Sequence, residues 1–366
     1  MKSLVMPDYK DCIVNLANSI RKYFELDYSN STLKDVDELL ESKKPRNVVV
    51  ILYDGMGYNL VKRIIPNSFL DKHITRSFSS VAPATTTAST TSMLTGMYPC
   101  EHGWLGWDLY FEPEDEIVTM FTNTLKDTDK QAREYNVARK YYPYKTIVEE
   151  INEKGKYEGR LISNYGGVKY FDTNDMLDKI YYDCKKDGKK YIYAYNPEPD
   201  HTMHEEGTDS DIVARIFKNI NDNTEEMCNK LDDDTVVIIV ADHGHLNNEG
   251  ILLDDYPDFK DTLDGDIWIE GRLCAFKVKD EDNFKKLFKK YFDDDFELYS
   301  KDEVIEMKLF GLGKEHELFR KSLGDYFALA KGNKYFRYCK DSVDLKSMHA
   351  GFTEDEMLIP LIVYYK

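Results

Sequence analysis

Short apolar runs rich in β-branched and aromatic residues alternate with longer helical stretches along this chain. The strongest run is residues 47–53, and similar runs occupy residues 190–195 and 235–241. Because their apolar residues follow one another almost without interruption, these runs predict strands buried on both faces, as in a parallel sheet. Helical stretches such as residues 145–154 and 209–231 lie between them. Strands that alternate with helices predict an α/β fold with a mostly parallel central sheet covered by helices on both sides.

The order of these patterns divides the 366-residue chain into three parts. Residues 1–45 are predicted to form a polar-faced helical segment, residues 46–251 and 341–366 the α/β core, and residues 252–340 a small inserted α+β lobe. The lobe is predicted from a short strand, a charged helix, a second helix and a closing pair of strands, at residues 272–278, 280–292, 316–322, 325–330 and 335–338. The total length fits about two domains of ~100–200 residues each.

The net charge of the chain is −18, from 49 basic and 67 acidic residues. Proteins that bind polymeric nucleic acid generally have a basic surface, because the release of counterions from the phosphates drives binding. The charge therefore argues against nucleic acid as a partner. An acidic protein that binds a small anion needs local positive charge, and bound metal ions are one way to supply it.

The sequence predicts no membrane segment and no secretion signal. The longest apolar runs contain about six residues, whereas a membrane-spanning helix needs about 20. Residues 1–20 lack a basic start followed by a continuous apolar stretch, so we predict no signal peptide. The cysteines are widely spaced and include no C-x-x-C pair, which predicts reduced thiols in a cytoplasmic protein.

Carboxylate and imidazole side chains follow the predicted strands where the strands end. Asp54 follows the first strand, Asp200 lies a few residues after the second, and Asp242 and His243 follow the third. In an open α/β sheet, sites form beyond the carboxyl ends of the strands, so these side chains are expected to converge on one edge. Asp and His together are suitable ligands for Zn²⁺ and related divalent ions.

Each of these residues also has a purely structural interpretation. An Asp after a strand often forms a turn or caps a helix, as Asp54 could on its own. His204 could be a surface residue of a helix, and His349 could be structural. The pair Asp242 and His243 is a stronger signal, because two adjacent polar side chains at a buried strand end are costly unless they bind something. Taken together, the residues predict a metal site.

A segment rich in small hydroxyl residues, 79–96, lies between the first two candidate ligands. Pro83 and the hydroxyl residues predict a loop that leads into a helix ending at Gly96. A helix N-terminus favours a phosphate, because its free N–H groups and the helix dipole attract anions. A hydroxyl there could attack phosphorus if a metal ion stabilised its alkoxide. The alternative is a capping segment without chemistry.

The order of these residues resembles the type I phosphodiesterase/nucleotide pyrophosphatase family of the alkaline phosphatase superfamily. The resemblance runs from about residue 47 to the C-terminus. It rests on Asp54 after a strand, the threonine-rich loop with Thr95-Gly96-x-x-Pro-x-x-His102-Gly103, Asp200-x-x-x-His204, Asp242-His243-Gly244 and His349. It implies the alkaline-phosphatase-like fold, a three-layer αβα sandwich, and a hydrolase of phosphodiester or phosphoanhydride bonds in a small molecule.

The resemblance also implies a role for each residue. Spacing back from Thr95-Gly96 identifies Thr86 as the nucleophile, with Thr85 and Thr87 as neighbouring alternatives. The implied mechanism is attack of the Thr86 hydroxyl on phosphorus, followed by hydrolysis of a phosphothreonine intermediate by water. Two divalent ions, most simply Zn²⁺, would be held by two sets of ligands: Asp54, Asp242, His243 and Thr86 in one, and Asp200, His204 and His349 in the other.

The sequence departs from the family at the residue that binds the phosphoryl oxygen. The family usually has an Asn shortly after the His-Gly pair, and counting onward from His102 places Trp107 there. The hydrogen-bond donor to that oxygen is therefore not identified from the sequence. Trp107 is instead a candidate for substrate contact, because its ring could stack on a flat group, although core packing is the commoner role of aromatic residues.

Three functions remain open on the sequence. The first is a metal-dependent phosphodiesterase or nucleotide pyrophosphatase, which Thr86 and the lack of an identifiable arginine for a monoester dianion favour over a phosphomonoesterase. The second is a hydrolase of a phosphonate or a monoester, which would share every ligand. The third is a non-catalytic binding module on the same scaffold, which would be expected to lack ligands that this chain retains.

Overall fold

The computed structural model describes residues 4–366. The helices are α1 (Ile13–Tyr23), α2 (Lys34–Lys43), α3 (Tyr58–Ile64), α4 (Phe69–Lys72), α5 (Thr86–Thr95), α6 (Pro99–His102), α7 (Val137–Tyr141), α8 (Ile147–Lys154), α9 (Thr173–Cys184), α10 (Asp200–Glu206), α11 (Asp211–Lys230), α12 (Pro257–Lys260), α13 (Glu281–Tyr291), α14 (Lys301–Glu306) and α15 (Glu354–Met357). The strands are β1 (Asn47–Tyr53), β2 (Ile74–Ser79), β3 (Asp108–Phe111), β4 (Glu116–Thr119), β5 (Thr124–Leu125), β6 (Glu158–Ser163), β7 (Gly166–Gly167), β8 (Lys190–Asn196), β9 (Thr235–Val240), β10 (Leu246–Asn247), β11 (Glu249–Leu252), β12 (Trp268–Ile269), β13 (Leu273–Phe276), β14 (Phe296–Ser300), β15 (Tyr326–Ala330), β16 (Lys334–Arg337), β17 (Ser347–Met348) and β18 (Leu358–Tyr364). Single turns of 3₁₀-helix lie at Leu253–Asp255 and Phe319–Lys321.

The central sheet is built around β1, whose residues are all buried. Strands β8 and β9 run parallel to it on either side, with Val49 paired to Ile192 and to Val237. Strand β9 is also buried along its whole length. Because both faces of these strands are covered, an almost continuous apolar sequence is stable there. The prediction of buried parallel strands is confirmed.

The complete central sheet has the strand order β2–β18–β9–β1–β8–β6–β7. The strands from β9 to β6 are parallel, whereas β18 is antiparallel to β9 and β2, and β7 is antiparallel to β6. Most helices beside the sheet pack in two groups, with α1, α2, α5 and α8 in one and α3, α4, α9, α10 and α11 in the other. The architecture is the predicted α/β class, an alkaline-phosphatase-like fold with a mixed, mostly parallel central sheet.

A second sheet has the order β14–β15–β13–β12–β3–β4–β5 and is antiparallel throughout. Its strands come from two distant parts of the chain, because β3 to β5 precede β8 whereas β12 to β15 follow β9. The sequence predicts only the later part, since β3 to β5 are too short to give a clear period. A second hydrophobic core, rich in phenylalanine, packs on this sheet. The predicted boundaries at residues 45, 251 and 340 stay a prediction.

The N-terminal helix α1 packs against α5. Asn18 Nδ2 donates to the carbonyl oxygen of Gly96 at 2.8 Å, and Arg21 Nη1 donates to that of Thr95 at 2.9 Å. The last carbonyl groups of a helix have no partner within the helix, so these bonds stabilise the C-terminal end of α5. The segment that precedes the family-like region therefore supports the helix that begins at Thr86.

Within residues 4–366, no helix combines the length and the apolar character needed to cross a membrane. The six cysteines are unpaired, and all except Cys339 are buried. The cytoplasmic location stays a prediction.

Candidate active site

The candidate nucleophile Thr86 begins α5, directly after the N-cap residue Thr85. Its hydroxyl oxygen lies 3.3 Å from Asp54 Oδ2, 3.4 Å from Asp54 Oδ1 and 3.3 Å from His243 Nε2. The neighbouring hydroxyls form no hydrogen bond with these ligands. Thr85 Oγ1 donates to Glu270, and Thr87 Oγ1 is buried without a hydrogen-bond partner. Of the three adjacent threonines, Thr86 is the one whose hydroxyl faces the candidate ligands.

Asp54, Asp242 and His243 form the first ligand group, with one potential ligand atom from each within 4.8 Å of the others. Asp54 follows β1 and the other two follow β9, so the parallel pairing of β1 with β9 brings them together. Asp242 Oδ1 accepts hydrogen bonds from the backbone N–H groups of Gly55 and His243, both at 3.1 Å. These bonds orient the carboxylate, while its Oδ2 is buried without a hydrogen-bond partner.

Asp200, His204, His245 and His349 form the second ligand group, again with ligand atoms within 4.8 Å of one another. Asp200 Oδ1 is the common neighbour, at 2.5 Å from His245 Nε2, 3.4 Å from His204 Nε2 and 3.8 Å from His349 Nε2. The sequence prediction omits His245. The feature of the sequence that could have identified His245 is its spacing of two residues from His243. In an extended segment, this spacing directs both side chains to one face.

Hydrogen bonds donated by Nδ1 orient three of the four histidine rings. His204 Nδ1 lies 2.8 Å from the carbonyl oxygen of Ser347, and His243 Nδ1 lies 3.1 Å from the carbonyl oxygen of the next residue. His245 Nδ1 lies 3.0 Å from Ser347 Oγ, whose own proton is donated to Met203 O at 2.6 Å. Each of these Nδ1 atoms must therefore donate, so that in a neutral ring the Nε2 lone pair is left for a metal ion. A hydrogen bond from the ring nitrogen that does not bind the metal is the usual way in which a metal-binding histidine is oriented.

The electrostatics of the site favour bound cations. Burial, and then the charge of Asp200, raises the pKa of Asp54, while burial and Asp54 raise the pKa of Asp242 well above its usual value. Burial lowers the pKa of His243, but Asp242 and Asp54 outweigh burial and raise it to about 10. Burial lowers the pKa of His349, whose Nδ1 has no hydrogen-bond partner. Clustered carboxylates, imidazoles and buried atoms without partners are the chemistry of a divalent-cation site, and the two ligand groups fit two ions.

Two tyrosines that the sequence analysis does not single out lie beside the first ligand group. The Tyr195 hydroxyl donates to Asp54 Oδ2. The ring of Tyr165, between β6 and β7, is 75% exposed and packs edge-on against Tyr195, with ring centroids 5.8 Å apart. Tyr195 lies at the carboxyl end of β8, next to the end of β1. This position at the same edge of the sheet as Asp54 is the feature that could have identified Tyr195 as a site residue.

Trp107 and Glu270 lie next to the N-terminus of α5. Glu270 Oε1 accepts hydrogen bonds from Thr85 Oγ1 at 2.6 Å and from the backbone N–H of Trp107 at 3.0 Å. The Trp107 side chain is 45% exposed and packs edge-on against Phe121, with ring centroids 5.7 Å apart. The ring predicted to contact substrate is therefore accessible. Glu270 is absent from the sequence prediction, because nothing in its local sequence relates it to α5.

The family model for type I phosphodiesterase/nucleotide pyrophosphatase matches residues 48–351, a range that includes every residue of the two ligand groups. Members of this family are metal-dependent hydrolases of phosphodiester or pyrophosphate bonds. No curated protein matches the chain.

Solved structures with the same fold include two ectonucleotide pyrophosphatases/phosphodiesterases and a phosphonoacetate hydrolase. Human ectonucleotide pyrophosphatase/phosphodiesterase 5 is 16% identical, with a TM-score of 0.66 over 87% of this chain and 87% of that chain. The murine protein is 17% identical, with a TM-score of 0.65 over 86% of this chain and 87% of that chain. Phosphonoacetate hydrolase from Sinorhizobium meliloti 1021, solved with phosphonoformate, is 14% identical, with a TM-score of 0.62 over 87% of this chain and 90% of that chain. At these identities the likeness shows a shared fold.

Proposed function

The chain belongs to the type I phosphodiesterase/nucleotide pyrophosphatase family, and from this premise we propose that it is a two-metal hydrolase of small phosphodiesters or phosphoanhydrides with Thr86 as its nucleophile. The observation that carries the proposal is the position of Thr86 Oγ1, 3.3 Å from both Asp54 Oδ2 and His243 Nε2 at the start of α5. A hydroxyl beside a candidate metal group and a helix N-terminus is well placed to attack a phosphoryl group.

We assign the two ligand groups to two Zn²⁺ ions. The first group, with Thr86, would hold one ion, and the second group, including His245, would hold the other. When bound, such ions supply positive charge that favours the alkoxide of Thr86 and neutralises the phosphoryl oxygens. The inclusion of His245 extends the ligand set that the family resemblance implies, and it rests on the orientation of its Nε2 toward Asp200.

Groups of the chain itself account for the bond changes. Backbone N–H groups of the first turn of α5 hold the phosphoryl group against Thr86. Thr86 Oγ1 gives up its proton to solvent and forms a bond to phosphorus as the bond from phosphorus to the leaving oxygen breaks, which produces phosphothreonine. Water then attacks phosphorus from the vacated side and releases its protons, and the bond between Thr86 Oγ1 and phosphorus breaks. Thr86 Oγ1 takes up one of these protons, which restores the hydroxyl. Tyr195, whose hydroxyl donates to Asp54, keeps that carboxylate oriented.

The surroundings of Thr86 favour a diester or an anhydride over a monoester. Among residues 4–366, no arginine or lysine forms an ion pair or a hydrogen bond with a side chain of either ligand group, so the ligand groups hold no side-chain cation that could pair with the second charge of a monoester. The exposed rings of Tyr165 and Trp107 favour a substrate with a flat group, such as a nucleotide. An inactive threonine-to-alanine variant of the murine relative was solved with AMP.

A substrate panel with the zinc-loaded protein tests the proposal. The panel contains bis(p-nitrophenyl) phosphate, a dinucleoside polyphosphate, AMP as a monoester, and phosphonoacetate. We expect kcat/KM for the diester and the anhydride to exceed the values for AMP and phosphonoacetate at least ~10-fold, a difference of about 1.4 kcal/mol in transition-state binding. The Thr86→Ala protein, purified in parallel, controls for contaminating phosphatases. A preference for AMP or phosphonoacetate would contradict the proposed substrate class.

A further inference from the structure

The proposed site lacks the side-chain amide that the family usually provides for the phosphoryl oxygen. Trp107 stands where the family usually has an Asn, and its single indole N–H lies on a ring that is 45% exposed and packs edge-on against Phe121. The backbone N–H of Trp107 donates to Glu270 Oε1 at 3.0 Å and is not free for this role. Glu270 is the polar side chain that lies beside this position, and its carboxyl is a candidate for a second donor besides the N–H groups of α5.

The backbone around Glu270 is held in an unusual conformation. Ile269, the residue before it, has φ of 77°, a left-handed conformation that a β-branched residue adopts only under constraint from its surroundings. Ile269 pairs with Asp108 of β3, one residue after Trp107. Gly106 permits this approach, because a Cβ there would lie 2.5 Å from the carbonyl oxygen of Ile269. These contacts bring Glu270 from the second sheet to the start of α5.

The hydrogen bonds of Glu270 converge on one carboxyl oxygen. Oε1 accepts from both Thr85 Oγ1, at 2.6 Å, and Trp107 N–H, whereas no hydrogen bond from residues 4–366 reaches Oε2. This arrangement leaves Oε2 free to donate a hydrogen bond whenever the carboxyl is protonated. Burial raises the pKa of Glu270 to about 7, against the hydrogen bonds from Thr85 and Trp107. The nearby charge of Asp108 raises this pKa further, and His243 lowers it.

We propose that Glu270, as a neutral acid, donates a hydrogen bond from Oε2–H to a non-bridging phosphoryl oxygen and so replaces the amide donor that the sequence lacks. The proposal rests on the proposed function, since it concerns the same phosphoryl group. Thr85 adjoins the nucleophile in the chain and its side chain holds Oε1, so the carboxyl group of Glu270 lies at the N-terminus of α5, where the proposed function has the phosphoryl group bind. The second sheet therefore contributes a group that touches substrate, in addition to covering the site.

Three variants test the role of Glu270. Glu270→Ala removes the donor and is expected to lower kcat/KM for bis(p-nitrophenyl) phosphate about 100-fold, the usual effect of losing one oxyanion donor. Glu270→Gln keeps an acceptor for Thr85 and Trp107 and offers an amide donor, so its kcat/KM should stay within about 10-fold of the wild type. Glu297→Gln is the matched control. It changes another glutamate of the second sheet, on β14, whose carboxyl accepts a hydrogen bond from Tyr299 at 2.7 Å and forms none with α5 or the ligand groups, and it should leave kcat/KM unchanged.

The pH profile distinguishes a donor from a merely structural carboxyl. The substrate is a monoanion at every pH of the assay, so it contributes no titration of its own. Wild-type Glu270 donates only while protonated, whereas Gln donates at every pH. The ratio of wild-type to Glu270→Gln kcat/KM should therefore be highest at low pH and fall as the pH rises through the pKa of Glu270, about 7. Bound cations lower the pKa of Glu270 and a bound phosphoryl anion raises it, so they shift the pH at which the ratio falls. In either case the ratio still falls as the pH rises.

Binding measured without turnover supplies a second readout. In the Thr86→Ala background, the Kd for bis(p-nitrophenyl) phosphate should rise on Glu270→Ala and be restored by Glu270→Gln, at unchanged zinc content and unchanged Tm. Equal loss in both Glu270 variants, or a pH-independent ratio between wild type and Glu270→Gln, would overturn the proposal. So would faster hydrolysis of AMP by Glu270→Gln, because it would identify an ionised, repelling carboxylate. An inactive wild-type protein would instead refute the proposed function itself.

Discussion

At the scale of single residues, Thr86 is the side chain on which the proposed chemistry depends. Thr86→Ala should lower kcat by several orders of magnitude, because it removes the attacking oxygen, while the two ligand groups keep seven other side chains. Thr86→Ser should keep substantial activity, since it keeps the hydroxyl. Steady-state kinetics on the diester, with zinc content measured in parallel, check both expectations.

Thr87→Ala is the matched control for Thr86, because the Thr87 hydroxyl is buried without a hydrogen-bond partner and so forms no hydrogen bond with the ligand groups. It should leave kcat within about threefold, corresponding to less than about 1 kcal/mol. Rapid acid quench and mass spectrometry should place the phosphate on Thr86. Phosphate on Thr87, or an active Thr86→Ala protein, would contradict the assignment of the nucleophile.

His245 allows a test of the ligand set that is independent of turnover. His245→Ala should weaken binding of one of the two Zn²⁺ ions at least ~10-fold, because a metal ligand or the group that orients one is lost. His201→Ala is the control, since His201 lies on the same helix as His204 with its side chain 70% exposed. Competition with a zinc-binding dye measures both affinities. Equal zinc affinity in the two variants would remove His245 from the second ligand group.

At the scale of elements, a buried ion pair joins the start of β13 to α15. Arg272 Nε lies 2.5 Å from Glu356 Oε1, and both side chains are fully buried. Glu356 also accepts from the backbone N–H of Gly351 at 2.7 Å and from Thr353 Oγ1 at 2.7 Å. The pair thus holds the loop that follows His349, and it links the second sheet to the second ligand group.

Breaking this pair should destabilise the protein and loosen the second ligand group. Glu356→Gln leaves the Arg272 charge buried without its partner, which typically costs about 3–5 kcal/mol. Glu153→Gln, which removes an exposed pair with Lys145, should cost less than about 1 kcal/mol. Urea unfolding and zinc content measure the two effects. If Glu356→Gln kept the free energy of unfolding of the wild type and bound two ions, the pair would not support this loop.

At the scale of the whole molecule, bound metal should contribute to the stability of the fold. The ligands come from the ends of β1 and β9, from α10 and from the segment after β17, so an ion that binds them connects distant parts of the chain. An ion present at 1,000 times its Kd stabilises the native state by about 4 kcal/mol. For two ions and a chain of this length, removal of metal should lower Tm by roughly 10 °C.

Chelation followed by differential scanning fluorimetry measures this effect. Added Zn²⁺ should restore Tm in the wild type, and Asp242→Asn should show a smaller response, because its first ligand group is incomplete. An unchanged Tm after removal of both ions, verified by elemental analysis, would mean that the metal sites do not stabilise the fold.

The class of fold and the positions of most candidate ligands follow from local patterns in the amino-acid sequence. Residues 47–53 and 235–241 are apolar enough to require burial on both faces, and Asp54, Asp242 and His243 follow them directly. Because parallel strands end at one edge of the sheet, these local patterns were sufficient to predict that the side chains meet.

The groups that surround those ligands depend instead on pairing between strands that are far apart in the chain. Glu270 reaches α5 because β12 pairs with β3, and His245 and His349 face Asp200 because β10 pairs with β17. The strands involved have two to four residues each, so no period in the sequence distinguishes them from loops. Their pairing is stabilised by contacts between residues far apart in the chain, and such contacts have no local signature.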